Sequence, residues 1–240
     1  MRIFEQTSLD AMIGDADRWR VELDATMRNE SAVIRGLFDR DRLLALREWV
    51  YGVRQRDGLS GNMPYNEATP DHVKLVDKPL GSDRPTRFVL SQFFPWNRQA
   101  NADIPAISQG LMRFRNLASG FAPDTGMRAG CDYVSWPSVI QYRRGGDFLA
   151  AHRDQYAFQC ILVLSEMGQD FTEGGNFWLG ETGHHFEEPN LRFGDVLLLK
   201  SDLVHGVHPI DPALRDDGSM AGRWMMFCPL ARRADVLRAA

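Results

Sequence analysis

Long hydrophobic runs are missing from this chain. The longest, such as Val196–Leu199, fall far short of the roughly 20 apolar residues that a membrane helix needs, so no membrane partner is expected. The first residues, MRIFEQTSLDAM, lack the apolar core of a secretory leader. Cysteine is scarce. Cys131, Cys160 and Cys228 are an odd number, at spacings that suit neither a disulfide framework nor a zinc cluster. They fit buried thiols in a reducing cytoplasm. An excess of positive charge is lacking too. With a formal net charge of -4, the chain offers no basic patch for a nucleic-acid backbone. Internal repeats and low-complexity segments are also absent. What remains is 240 residues, 44% of them hydrophobic, enough to close one core over residues 1–240 as a single domain.

The first half reads mainly as helix. Leu9, Met12, Ile13, Ala16, Trp19, Leu23 and Met27 recur at steps of three and four, which predicts a helix over Leu9–Arg28 behind Ser8 as N-cap. Ser31–Phe38 reads as a strand. Asp39 can cap a second helix that runs to Gly52, and Asp103–Leu117 is a third, stopped by Gly120. Between them, Arg54–Thr86 alternates prolines with glycines. So long a loop inside a compact fold is a mobile excursion or a lid. Arg87–Phe94 returns to strand character.

The second half reads as strands: Tyr133–Arg143, Phe158–Ser165, Asn176–Leu179, Asp195–Lys200 and Arg223–Cys228. Gly145-Gly146, Gly174-Gly175 and Gly194-Asp195 mark turns between them. A short helix is expected over Ala231–Ala240. Helices first and short strands later predict an α+β chain. In it, residues 1–130 form a helical support with a long loop at 54–86. Residues 133–230 form a jelly-roll core, with the helices packed on one of its sheets.

One stretch in that core carries chemistry. In an extended segment His152 and Asp154 point the same way, with Cα atoms roughly 6–7 Å apart, so they can grip one metal ion. His205 is the third ligand expected; His208 and the pair His184-His185 are its rivals. Two histidines and a carboxylate on one face of an octahedral metal leave adjacent positions open, an arrangement suited to Fe(II) and oxygen chemistry. Arg223 opens a later strand. A carboxylate taken out of water needs a fixed cation, and the planar guanidinium fork pairs it through two hydrogen bonds. Gly174 and Gly175 serve backbone geometry. Trp136, Trp178 and Trp224 read as core or pocket wall, and Arg143, Arg144 and Arg153 as solvated charge.

His152-x-Asp154, His205 and Arg223, with Gln141-Tyr142, Gly146-Asp147-Phe148-Leu149, Glu173-Gly174-Gly175-Asn176-Phe177 and Phe193-Gly194-Asp195, resemble the Fe(II)/2-oxoglutarate-dependent oxygenases, and the prolyl-hydroxylase-like branch in particular. The likeness covers roughly Ser138–Cys228. It implies a double-stranded β-helix (jelly-roll, cupin-like), with iron on His152, Asp154 and His205. It also implies 2-oxoglutarate held at its far carboxylate by Arg223 with Tyr142 as a donor, O2 as oxidant and ascorbate as reductant. Arg223 stands farther from His205 than is commonest in that family, by the insert DPALRDDGSMA. The implied reaction hydroxylates a C–H bond of a small molecule, such as an amino acid or biosynthetic intermediate, while 2-oxoglutarate becomes succinate and CO2. Asp154 argues against halogenation. Pro229 stands where the demethylase R-x5-R signature has its second arginine, against a nucleic-acid substrate. A peptide or protein hydroxylase, and a non-catalytic jelly-roll binding module, are the alternatives.

Overall fold

The computed structural model describes residues 2–5, 9–15, 19, 21, 31–63, 65–128, 130–154, 158–180, 183–200 and 202–236. The chain begins with β1 (Arg2–Glu5), α1 (Leu9–Gly14), β2 (Ala32–Arg35) and α2 (Arg40–Asp57). Next come β3 (His72–Lys78), β4 (Thr86–Gln92) and α3 (Asp103–Ala118). The strand-rich half holds β5 (Tyr133–Ser135), β6 (Ser138–Arg143), β7 (Phe148–His152), β8 (Phe158–Val163), β9 (Gly175–Gly180) and β10 (Gly183–Phe186). A 3-10 turn at Glu188–Asn190 leads to β11 (Val196–Lys200), β12 (Val204–His208), β13 (Gly222–Phe227), β14 (Leu230–Arg232) and α4 (Arg233–Val236).

Two antiparallel layers form the core. One runs β11-β8-β13-β6 and the other β7-β12-β9-β10. Strand β4 joins them, pairing β6 through Val89–Gln92 and β7 through Thr86 and Arg87. This is the double-stranded β-helix. β1 and β2 extend the first layer beyond β11, and β3 extends β4.

Alternation along β13 shows how the layers are filled. Trp224 and Met226 join Leu43, Leu46, Ile107 and Leu111 in the cluster under α2 and α3. Met225, facing the other way, joins Tyr142, Ile161 and Val207 between the layers. Successive strand residues point to opposite faces, so one face of the sheet carries the helices and the other faces the second layer. No helix among the described residues is long and apolar enough to cross a membrane.

Several elements differ from expectation. Of the helix expected over Leu9–Arg28, the structure describes α1 and helical positions at Trp19 and Val21; the rest lies outside the described residues. The α2 helix passes Gly52, where a stop was expected, and ends at Gly58, whose φ is 72°. A helical glycine costs only about 1 kcal/mol, whereas a left-handed cap is a true stop. Residues 54–86 are not one loop. HVKLVDK pairs with β4 over its whole length as an antiparallel hairpin. Tyr133–Arg143 breaks at Trp136-Pro137 into β5 and β6, which lie in different sheets. The C-terminal segment starts as strand β14 before turning helical, and its last four residues lie outside the described ones.

Candidate metal centre

His152 ends β7 and lies directly opposite His205 on β12, since the two are a register pair. Their ring centroids are 4.3 Å apart. Asp154, two residues past His152, folds back between them. Its Oδ1 is 3.6 Å from His152 Nε2 and its Oδ2 is 3.2 Å from His205 Nε2. One ligand atom from each of the three lies within 4.8 Å of the others, and no other such trio of histidine, cysteine or acidic side chains occurs among the described residues. Among the described residues Asp154 Oδ2 has no hydrogen-bond partner of good geometry despite its close approach to His205.

The rings are held in the tautomer that a metal requires. His152 Nδ1 lies 2.9 Å from the carbonyl of Ala150, and His205 Nδ1 lies 2.9 Å from that of Leu203. A carbonyl only accepts, so each Nδ1 must carry the proton. Each Nε2 is left facing Asp154. There it either carries a proton and donates to the carboxylate or offers its lone pair to a shared metal ion, because bare lone pairs and a carboxylate repel unless a cation lies among them. Such backbone anchoring of the distal nitrogen is the usual support of a ligating histidine. Burial pushes the Asp154 carboxyl upward in pKa, but its contacts with His152 and His205 outweigh that and hold it well below the usual carboxylate range. The donor set fits a divalent metal with oxygen and nitrogen ligands.

The trio lies in a cavity of about 330 Å³ between the two layers, walled by apolar side chains such as Phe88, Leu149 and Val207. Tyr142 reaches it from β6. Its hydroxyl is buried and unpartnered among the described residues. Burial, only partly opposed by the Arg223 charge, pushes its pKa far up, so the group remains a proton donor.

Arg223 is the register partner of Tyr142, and its guanidinium carbon lies 5.8 Å from the centre of the Tyr142 ring. Its exposure is 0%. Nε donates to Glu188 Oε2 at 2.9 Å, while Nη2 has no partner among the described residues. Glu188 was not singled out from the sequence. It follows β10, is 1% exposed and also accepts from the Asn176 backbone N–H at 2.7 Å. Gly175 makes room for it. A Cβ there would come within 2.3 Å of Glu188 Cγ, and the φ of 122° disfavours any other residue. Gly174 has a similar role, because its Cβ would meet the Pro209 carbonyl oxygen at 2.1 Å. The Gly-Gly pair thus serves close backbone approach.

The insert before Arg223 is well anchored. Asp211 accepts from the backbone N–H of Thr172 and of Glu173, Asp216 pairs Arg143 at 2.9 Å, and Gln141 donates to Ser219 and Ala221 carbonyls. Arg143 is therefore not solvated, as expected from sequence, but buried between Asp147 and Asp216. Arg144 pairs Asp211 at 3.2 Å, and Arg153 is exposed. His208 and His184 stand apart from the trio, with Nε2 atoms 3.0 Å from each other and both rings stacked on Phe177. His185 stacks on Trp178. Trp136, Trp178 and Trp224 are all core.

Solved structures with this fold place the geometry in context. A prolyl-4-hydroxylase from Pseudomonas putida superposes with a TM-score of 0.56 at 16% identity, over 92% of this chain and 100% of that one. AviO1 from Streptomyces viridochromogenes Tue57 gives 0.54 at 15% identity, over 92% and 98%. Full-length T7H from Neurospora crassa, solved in complex with alpha-KG, gives 0.53 at 12% identity, over 94% and 83%. No family model matches the chain, and no curated protein matches it in sequence. The chain thus shares the fold of these proteins, at identities that show the fold alone.

Proposed function

We propose that the chain is an Fe(II)- and 2-oxoglutarate-dependent dioxygenase that hydroxylates a C–H bond of a small molecule. The observation that carries this reading is the convergence, in one cavity, of two Nδ1-anchored imidazoles and Asp154. Nearby stand two buried donors without partners among the described residues, Tyr142 Oη and Arg223 Nη2.

His152, Asp154 and His205 hold the metal. When bound, iron and 2-oxoglutarate supply the activation of O2 and the oxidising power, with succinate and CO2 as by-products. Tyr142 and Arg223 orient the far carboxylate of the co-substrate through their free hydrogens, and charge-assisted bonds of this kind are the strong ones. Glu188 locks the guanidinium by its Nε, so that Nη2 is the donor on offer. Tyr142 keeps its proton at working pH. Apolar walls exclude water, which strengthens each of these contacts and protects the oxidant from side reactions.

A small substrate is favoured over a peptide. About 330 Å³ is at the low end of small-molecule pockets, and the co-substrate must share it. The β3–β4 hairpin also supplies part of the wall, through Val76 and Phe88. The direct test is anaerobic titration with Fe(II) and 2-oxoglutarate, followed by oxygen and a substrate panel. A weak visible charge-transfer band and then succinate are expected. A protein that binds metal yet gives neither band nor succinate is a binding module, and the reading fails.

A further inference from the structure

The charge of the cavity wall bears on the substrate. Two cations face the cavity from the β3–β4 hairpin: Lys78, which ends β3, and Arg84, in the turn before β4. Among the described residues, the only acidic side chain on the wall is Asp154. Arg84 Nη2 makes one long contact to Asp154 Oδ1, 3.4 Å, while its Nε is buried without a partner among the described residues. Lys78 forms no ion pair among the described residues, although its pairing partner on β4, Thr86, is itself on the wall.

This arrangement is not a by-product of a basic chain, since the formal net charge is -4. Nor do the lock residues account for it, because Arg223 is already matched by Glu188. On the reading above, a divalent metal with Asp154 and a dianionic co-substrate carries one net negative charge. Arg84 offsets that charge and leaves Lys78 unmatched. Lys78 is exposed and the Arg84 side chain is 41% exposed, so both cations stand at the mouth of the cavity, where they attract an anion carried by an entering ligand.

We propose that the substrate is a small carboxylic acid. Its carboxylate docks at the hairpin between Lys78 and Arg84, and its aliphatic carbons extend along Phe88 and Leu149 toward the metal. Arg84 supplies directional hydrogen bonds and Lys78 a point charge, so the carboxylate fixes which carbon faces the oxidant. The hairpin that closes the cavity would thereby also select its occupant.

The proposal rests on the dioxygenase reading, and one experiment separates the two. The anaerobic Fe(II)·2-oxoglutarate protein is titrated with aliphatic and α-amino acids of four to six carbons and with their primary amides. The band shift and, after oxygen, the succinate released are followed. Acids should perturb the band and stimulate succinate, with amides at least about tenfold weaker. Arg84→Gln should raise the acid's half-saturation by about 10- to 100-fold. Lys78→Glu should shift preference from an acid to the corresponding amine, which a merely structural lysine would not do. If the band forms but amides or amines bind as well as acids, or no acid binds, the substrate class is wrong and the dioxygenase reading stands. If the band never forms, both fall.

Discussion

Replacing Glu188 by Gln removes one buried negative charge and leaves the shape of the site almost unchanged. The amide oxygen can still accept from Arg223 Nε and the Asn176 N–H, both of which use Oε2 in the native chain. What is lost is the countercharge of a guanidinium that is 0% exposed. Breaking a buried pair by removing one partner costs about 3–5 kcal/mol, and because the hydrogen bonds survive, the low end, about 3 kcal/mol, is expected. For a chain of this size that lowers Tm by about 6–12 °C. The co-substrate should reverse the loss. Its far carboxylate, docking on Arg223 Nη2 and Tyr142, would restore the missing charge. Thermal unfolding with a redox-inert metal such as Zn(II), with and without 2-oxoglutarate, measures both effects. The 2-oxoglutarate-dependent rise in Tm should be larger in the variant than in the native protein. Equal rises in the two, or no loss of stability in the apo variant, would refute the argument that Arg223 binds the co-substrate with Glu188 as its resting countercharge.

Tyr142→Phe removes a hydroxyl that has no partner within the described protein, so apo stability should hold within about 1 kcal/mol while 2-oxoglutarate affinity falls about tenfold or more, as read by titration of the metal-loaded protein. His205→Ala should abolish stoichiometric metal binding by elemental analysis and leave the far-ultraviolet dichroism intact; a variant that still binds one metal tightly would contradict the site. Gly175→Ala forces a residue at φ 122° against Glu188 and should destabilise by about 3 kcal/mol, with co-substrate affinity lost as well. Burial pushes the Cys228 thiol up to about 12, and Cys160 higher still. Their contribution to stability is therefore complete below the ordinary thiol pKa of about 8.5 and drains away as pH rises toward 12. In the native state a thiol reagent should label Cys131, the half-exposed one, and spare the buried pair.

The ligand-bearing stretch was legible because a strand has a period of two. That period puts His152 and Asp154 on one side, although Asp154 lies just past the end of β7, and Gly145-Gly146 marks the turn before that strand; the Gly194-Asp195 turn leads instead into β11, one strand short of His205. His205 could be named, but only the register pair with His152 shows that the two rings meet. The hairpin strand β3 was missed for a physical reason. Its apolar residues are few, with Val73 buried and Leu75 and Val76 half-buried, so the prolines and glycines on either side outweigh a pattern that only pairing with β4 stabilises. Glu188 was invisible for another. The second of two adjacent glutamates before a proline reads as surface, and its burial depends on the notch that Gly175 leaves in a strand far from Arg223 in sequence. Arg143 misled in the opposite direction: two partners, one local at Asp147 and one distant at Asp216, bring it inside.

Spacing between His205 and the arginine is a weak guide here, and the reason lies in how β13 is placed. Its register is set by pairing with β6, Gly222 opposite Arg143 and Arg223 opposite Tyr142. A Cβ at Gly222 would come within 2.3 Å of the Tyr142 carbonyl oxygen, so this position admits only glycine. The insert that precedes it is pinned at Asp211 and Asp216, to residues outside β13. Its length is therefore free, while the register is not. A slip of one residue would turn Trp224 toward the cavity and Arg223 toward the helices, leaving a buried cation among Leu43, Leu46 and Ile107 with no partner. Such a cost is far greater than that of closing a longer loop, which grows only with the logarithm of its length. Arg223 thus shares the inter-layer face of β13 with Met225, beside Tyr142, because that register is fixed, whatever the length of chain that leads into it.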